Sequence, residues 1–195
     1  MKKQWMNFLI NPFERIAGFQ ALGWGLLGMV VSTVICYLSG WHYHGLLHFG
    51  PAPNPAWWCY AIEHLVVWLV PALLFYLGGL ILSRSRIRVI DVLGTVAFAQ
   101  LPFIFMNLFN LLPPMQNLAK VDMNVPPMEL ISQPGFLVGV WLSLIGVIFL
   151  VWVLVWMFKA LKISCNLKGY PLGILYCVAV FGGDILCRYL IGLCY

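Results

Sequence analysis

The sequence predicts an all-α membrane protein, a bundle of five transmembrane helices with a short amphipathic N-terminal segment. Three observations predict it. Of 195 residues, 63% are hydrophobic and 9% charged, against about 45–50% and about 25% in a soluble domain. The apolar residues gather in five runs, each long enough for the roughly 20 residues that a bilayer crossing takes. The basic residues collect in alternate connections between those runs. Such a composition excludes a cytosolic enzyme, a disordered chain and a disulfide-knotted secreted domain. The net charge of +5 reads as membrane orientation, not as a nucleic-acid surface.

The chain opens with an expected cytoplasmic interfacial segment over residues 1–18. Asn11-Pro12-Phe13-Glu14 reads as a helix start, with Asn as cap, Pro at the first position and Glu reaching back. Trp5, Phe8, Leu9, Phe13 and Ile16 supply an apolar face for a helix lying on the membrane. Met1-Lys2-Lys3 mimics a signal peptide, but the apolar run after it is long and lacks a small-residue cleavage site, so it reads as a retained span.

A single membrane domain is expected over 19–195. Its spans are about Phe19–Ser39, Tyr60–Leu82, Val89–Leu112, Phe136–Phe158 and Pro171–Leu193. Backbone groups in lipid must be satisfied within the segment, so these are helices, and they lack the alternation of a β-barrel. Nine basic residues lie on one side: Lys2, Lys3, Arg15, Arg84, Arg86, Arg88, Lys159, Lys162 and Lys168. Lys120 faces the other side, beside Asp122 and Glu129, and Arg188 lies within the last span. The expected topology therefore has the N-terminus in the cytoplasm and the C-terminus outside, in a bacterial inner membrane. The outer loop Trp41–Trp58, rich in His, Pro and Trp, suits the headgroup region. The outer loop Pro113–Pro134 carries two proline pairs and should resist continuous helix. No internal repeat supports an inverted-repeat transporter.

Polar residues inside spans are the candidates for ligand or ion contact. Asp184 and Arg188 are four apart on one helical face, a structural ion pair or a functional pair. Gln100 and Asn107 are seven apart in span three, with Pro102 between and Asn110 close by. The simpler reading for these amides is hydrogen bonding between helices. Glu63 becomes a further member if span two bends at Pro71. His42, His44, His48 and His64 suit a metal chemically, but their spacing sets no coordination geometry. They read as interfacial groups, and no metal or cofactor is expected. Six cysteines without a C-x-x-C give no redox or metal motif. Cys59 and Cys194 are the one pair whose expected positions at the outer surface would allow a disulfide. Two small-residue stripes, Ala21-Gly25-Gly28-Ser32 and Gly135-Gly139-Ser143-Gly146, read as packing surfaces within a bundle or between protomers. No catalytic motif is present, so no enzyme is expected.

Three segments carry a family resemblance. They are Asn11-Pro12-Phe13-Glu14-Arg15-Ile16, Gly94-Thr95-Val96-Ala97-Phe98-Ala99-Gln100-Leu101-Pro102, and Trp156-Met157-Phe158-Lys159-Ala160-Leu161-Lys162. In these the chain resembles the Yip family, the Ypt/Rab-interacting-protein type of membrane protein, in its bacterial branch, over residues 10–193. The resemblance implies a five-span, non-enzymatic scaffold or adaptor acting through lipid or protein partners in membrane organisation. The long N-terminal region and Asp-Leu-Tyr-Gly-Pro element of eukaryotic members have no counterpart here, so Rab-linked traffic does not transfer.

Two functions are compatible with these features. The adaptor would use Arg84, Arg86, Arg88, Lys159, Lys162 and Lys168 against anionic lipid or an acidic membrane or cytoplasmic protein, alone or as a homo-oligomer. The alternative, a small transporter or channel component, needs Glu63, Gln100, Asn107, Asp184 and Arg188 to line one wet cavity.

Overall fold

The computed structural model describes residues 9–52, 55–121 and 126–195. Five helical segments are long and apolar enough to cross a membrane: Gly18–Ser39, Cys59–Leu82, Val89–Phe109, Phe136–Ser164 and Gly169–Gly192. The fold is an all-α membrane bundle. Lys2, Lys3, Trp5, Phe8 and Asp122 lie outside the described residues.

The first helix, α1 (Gly18–Ser39), ends at Gly40. That residue takes φ +70° and returns its N–H to the Cys36 carbonyl, a left-handed stop that glycine adopts without strain. Next comes a small hairpin, β1 (Trp41–Tyr43) antiparallel to β2 (Phe49–Pro51). Its side chains turn into the bundle. Tyr43 and Leu46 are fully buried, and the hairpin plugs one end of the bundle.

Helix α2 (Cys59–Leu82) carries Pro71 in its interior. The third span, expected to be continuous from Val89 to Leu112, is broken. Helix α3 (Val89–Ala99) passes through tight turns at Gln100–Pro102 into α4 (Phe103–Phe109). Pro102 has no N–H to continue the ladder, so the chain tightens to i→i−3 bonds there. The proline-rich loop is more helical than expected. It forms α5 (Pro113–Leu118) and α6 (Pro127–Ser132), with prolines in the first turn, where a missing N–H costs nothing.

Helix α7 (Phe136–Ser164) runs past the expected end at Phe158, which puts Lys159 and Lys162 on the helix itself. The last span is α8 (Gly169–Cys177), a π turn over Val178–Gly182, and α9 (Gly183–Gly192). The wide turn rotates the faces of α9 by about 100° relative to an unbroken α-helix.

Glycine makes the closest packing in the bundle, between α1 and α3. A methyl group at Gly25 would lie 2.6 Å from the Ala97 backbone, and one at Gly94 would lie 2.5 Å from the Gly18 carbonyl. Backbones can approach so closely only where side chains are absent. Gly139 packs in the same way on the Pro114 carbonyl of α5. The two small-residue stripes thus face partners inside this one chain.

The N-terminal segment departs from its expectation. Pro12–Glu14 is a single 3-10 turn with no side-chain cap; the Asn11 amide instead donates to Glu14 Oε1 at 2.8 Å. Phe13 is buried edge-on against Phe98 and Trp156. Trp152 and Trp156 both donate their indole N–H to the Leu9 carbonyl, at 2.8 and 2.7 Å. The described part of the segment, from Leu9 onward, is docked on α3 and α7.

Candidate functional site

The polar residues of the spans meet the hairpin from three sides. Glu63, on α2, is fully buried. Its Oε1 lies 2.7 Å from His42 Nδ1, and its Oε2 accepts the Tyr43 backbone N–H at 3.0 Å. The hydroxyl of Tyr195, the last residue, also donates to Oε1 and sits 3.0 Å from His42 Nδ1. The His42 ring lies 4.0 Å, centroid to centroid, from that of Tyr60. One carboxylate therefore gathers a ring N–H, a backbone N–H and a phenol, the set that a buried acceptor needs. Burial, and then the bond to Glu63, push the Tyr195 hydroxyl well above the usual tyrosine range. It remains a donor.

A second group forms around the Tyr43 side chain. Asn107, on α4, donates its amide to the Tyr43 hydroxyl at 2.7 Å and to Ser32 Oγ at 2.6 Å. His64 reaches Ser32 Oγ at 3.1 Å through Nε2 and the Tyr60 carbonyl at 2.8 Å through Nδ1. Burial holds the Tyr43 hydroxyl well above its ordinary value. Tyr43 thus links the two groups, by its N–H to Glu63 and by its hydroxyl to Asn107.

The third attachment is Asp184 on α9, just past the π turn. It accepts the Leu47 N–H at 2.8 Å and pairs with His48 Nδ1 at 3.0 Å. Gly45 allows this approach, because a Cβ there would meet Asp184 Oδ1 at 2.6 Å and Arg188 Cγ at 2.8 Å.

Of the five residues that a transporter component would need in one cavity, Glu63, Asn107 and Asp184 converge on the hairpin instead. Gln100 does separate work. Pro71 cannot donate to the carbonyl four residues before it, Val67, and Gln100 Nε2 donates to that oxygen at 3.0 Å. Proline in a membrane helix is tolerated where a neighbour supplies the lost bond. Arg188 is exposed, and Asp184 pairs with His48, not with Arg188. The void beside Ser32, Tyr43, His64 and Gln100 is about 10 Å³, at the lower limit for one water.

Two of the four histidines, His42 and His64, are bonded inside the chain rather than presented at an interface. His42 and His64 are buried; His48 is exposed, and His44 faces the Pro51 carbonyl at 3.2 Å. Among the described residues no group of three His, Cys, Asp or Glu could hold a metal ion. All six cysteines are free. Cys59 Sγ lies 3.8 Å from the Cys194 carbonyl and forms no disulfide with that residue.

The opposite end of the bundle is basic. Arg84, Arg86, Arg88, Lys162 and Lys168 are exposed, and Lys159 is half-buried. Asn166 donates to Ser85 Oγ at 2.8 Å, which brings the loop of the arginines against the end of α7. Arg88 lies 3.8 Å from Asp91.

The sequence did not point to Tyr43 or Tyr195, and it marked Ser32 only as a small packing residue. A tyrosine flanked by histidines between two spans was the available sign of a loop that turns inward.

Residues 6–186 match a family model described as the Yip1 domain. No curated protein and no solved structure gives a significant match.

Proposed function

As a member of the Yip1-domain family, this chain is, we propose, a non-enzymatic membrane adaptor that works through lipid or protein partners. The observation that carries the reading is the division of polar groups in the bundle. The buried acidic side chains within the spans, Glu63 and Asp184, are engaged by the chain's own hairpin. The exposed cations of the other end remain for contact with something else. Six basic residues, Arg84, Arg86, Arg88, Lys159, Lys162 and Lys168, form that candidate surface. Near an anionic leaflet each is worth roughly 1 kcal/mol.

In this reading the basic end is cytoplasmic and the hairpin end lies outside, as in the inner membrane of a bacterium, and the chain belongs to the bacterial branch of its family. Its partners are acidic lipid headgroups or an acidic protein surface. A second copy of the chain is a further candidate.

The test is purification in lipid nanodiscs, then mass spectrometry of the co-purifying species. A stoichiometric partner, or selective enrichment of anionic lipid, lost when Arg84, Arg86 and Arg88 become Gln, supports the adaptor. A chain that instead retains a specific ion, and loses it with Asp184→Asn, overturns it in favour of a transporter component.

A further inference from the structure

A cleft of about 320 Å³ opens between the hairpin, α4, α5 and the first half of α7. It is at the lower end of the range of small-molecule sites, about 300–1,000 Å³. Its walls include Phe49, Met106, Met115, Gly146 and Leu150, with Trp41, Asn110 and Ser143 as polar members. Trp41 Nε1 is buried and has no hydrogen-bond partner. Because that nitrogen has no surface open to the cleft, Trp41 offers its ring to the wall and no donor to an occupant.

We propose that this cleft holds one acyl chain of a membrane glycerophospholipid, with the ester carbonyl near Asn110. Three observations choose that occupant. The wall from α7 is continuous with exposed apolar residues of the same helix, Leu144, Ile145 and Ile148, so the cleft opens sideways toward lipid. Its α7 lining runs from Leu142 to Leu150, a depth of about 12 Å along the helix, starting at the hairpin end where ester groups lie. Its volume is far too small for a partner helix, which is about 10–12 Å across with its side chains. This inference needs only the membrane bundle and is independent of the adaptor reading.

The probe is dioleoyl-phosphatidylglycerol in nanodiscs, with the full chain transferred to mild detergent and weighed by native mass spectrometry. The expected result is one retained phospholipid per chain. Gly146→Leu should abolish it by filling the cleft; a Cβ at that position meets Met106 at an ordinary 3.5 Å, so the backbone tolerates a side chain. Should that variant fail to fold, Val147→Trp closes the mouth from an exposed position. Exchanging phosphatidylglycerol for phosphatidylcholine should leave retention unchanged, since the contacts stop at the ester. Complete delipidation of the native chain, or equal retention by a folded cleft-filling variant, overturns the proposal. So does retention of a species that has no acyl ester.

Discussion

Glu63 shows what a single buried carboxylate does in this bundle. It is the common acceptor for His42, Tyr43 and Tyr195, and so ties two neighbouring hairpin residues to one at the far end of the sequence. Glu63→Ala would leave the Tyr43 N–H without an acceptor and the imidazole without its acidic partner. Breaking a buried pair in this way costs about 3–5 kcal/mol, so thermal unfolding in detergent should shift strongly downward. Asp184→Asn keeps an acceptor for Leu47 and should cost less, about 1 kcal/mol. Its signature is faster hydrogen exchange at Leu47 with the rest of the bundle unchanged. The Tyr43 hydroxyl, neutral in the fold and pushed up by burial, gives a pH dependence of known sign. Its folded pKa is raised, so its contribution is full below the unfolded value of about 10 and declines as pH rises above it. Tyr43→Phe should flatten the loss of stability measured between about pH 9 and about pH 11.

Among the elements, two contacts decide how the helices sit. Gln100 on the α3 side answers the carbonyl that Pro71 releases in α2. The amide was legible in the sequence as glue between helices; its target was not, because a freed carbonyl is a property of another helix and of the angle between the two. Gln100→Leu should cost about 1–3 kcal/mol by leaving Val67 O unpaired. Pro71→Ala restores an N–H to that oxygen, so the double variant should recover much of the loss in a double-mutant cycle. Additive effects would show that the bond is not what couples the helices. Between α1 and α3 the close approach depends on glycine at both Gly25 and Gly94. Gly25→Leu should separate the two helices and destabilise by at least about 1–3 kcal/mol, read as a lowered unfolding temperature. The stripes were visible as stripes. That they meet within one chain required knowing which helices are neighbours.

For the whole molecule the two ends have opposite characters. One is closed by a hairpin, two short helices and the C-terminal tyrosine; the other carries exposed Arg and Lys. The proposed orientation predicts accessibility. In a background with the exposed Cys177 replaced by Ser, a cysteine at Ser85 should react with a membrane-impermeant maleimide only in opened cells. One at His48 should react in intact cells. The reverse pattern would invert the bundle and remove the cytoplasmic role of the basic end.

Five membrane spans, and basic residues gathered on one side of them, are legible in the amino acids alone. Those properties arise from local composition, since a helix must satisfy its own backbone in lipid whatever its neighbours are. Glu63, Asn107 and Asp184 were marked as unusual in the same way, because polar groups in an apolar run stand out individually. It took the folded bundle to reveal that these three grip a hairpin, that Gln100 completes another helix, and that Arg188 is left aside. A hydrogen-bond partner is a matter of direction and distance between elements, and in a bundle those are set by packing that no single segment contains.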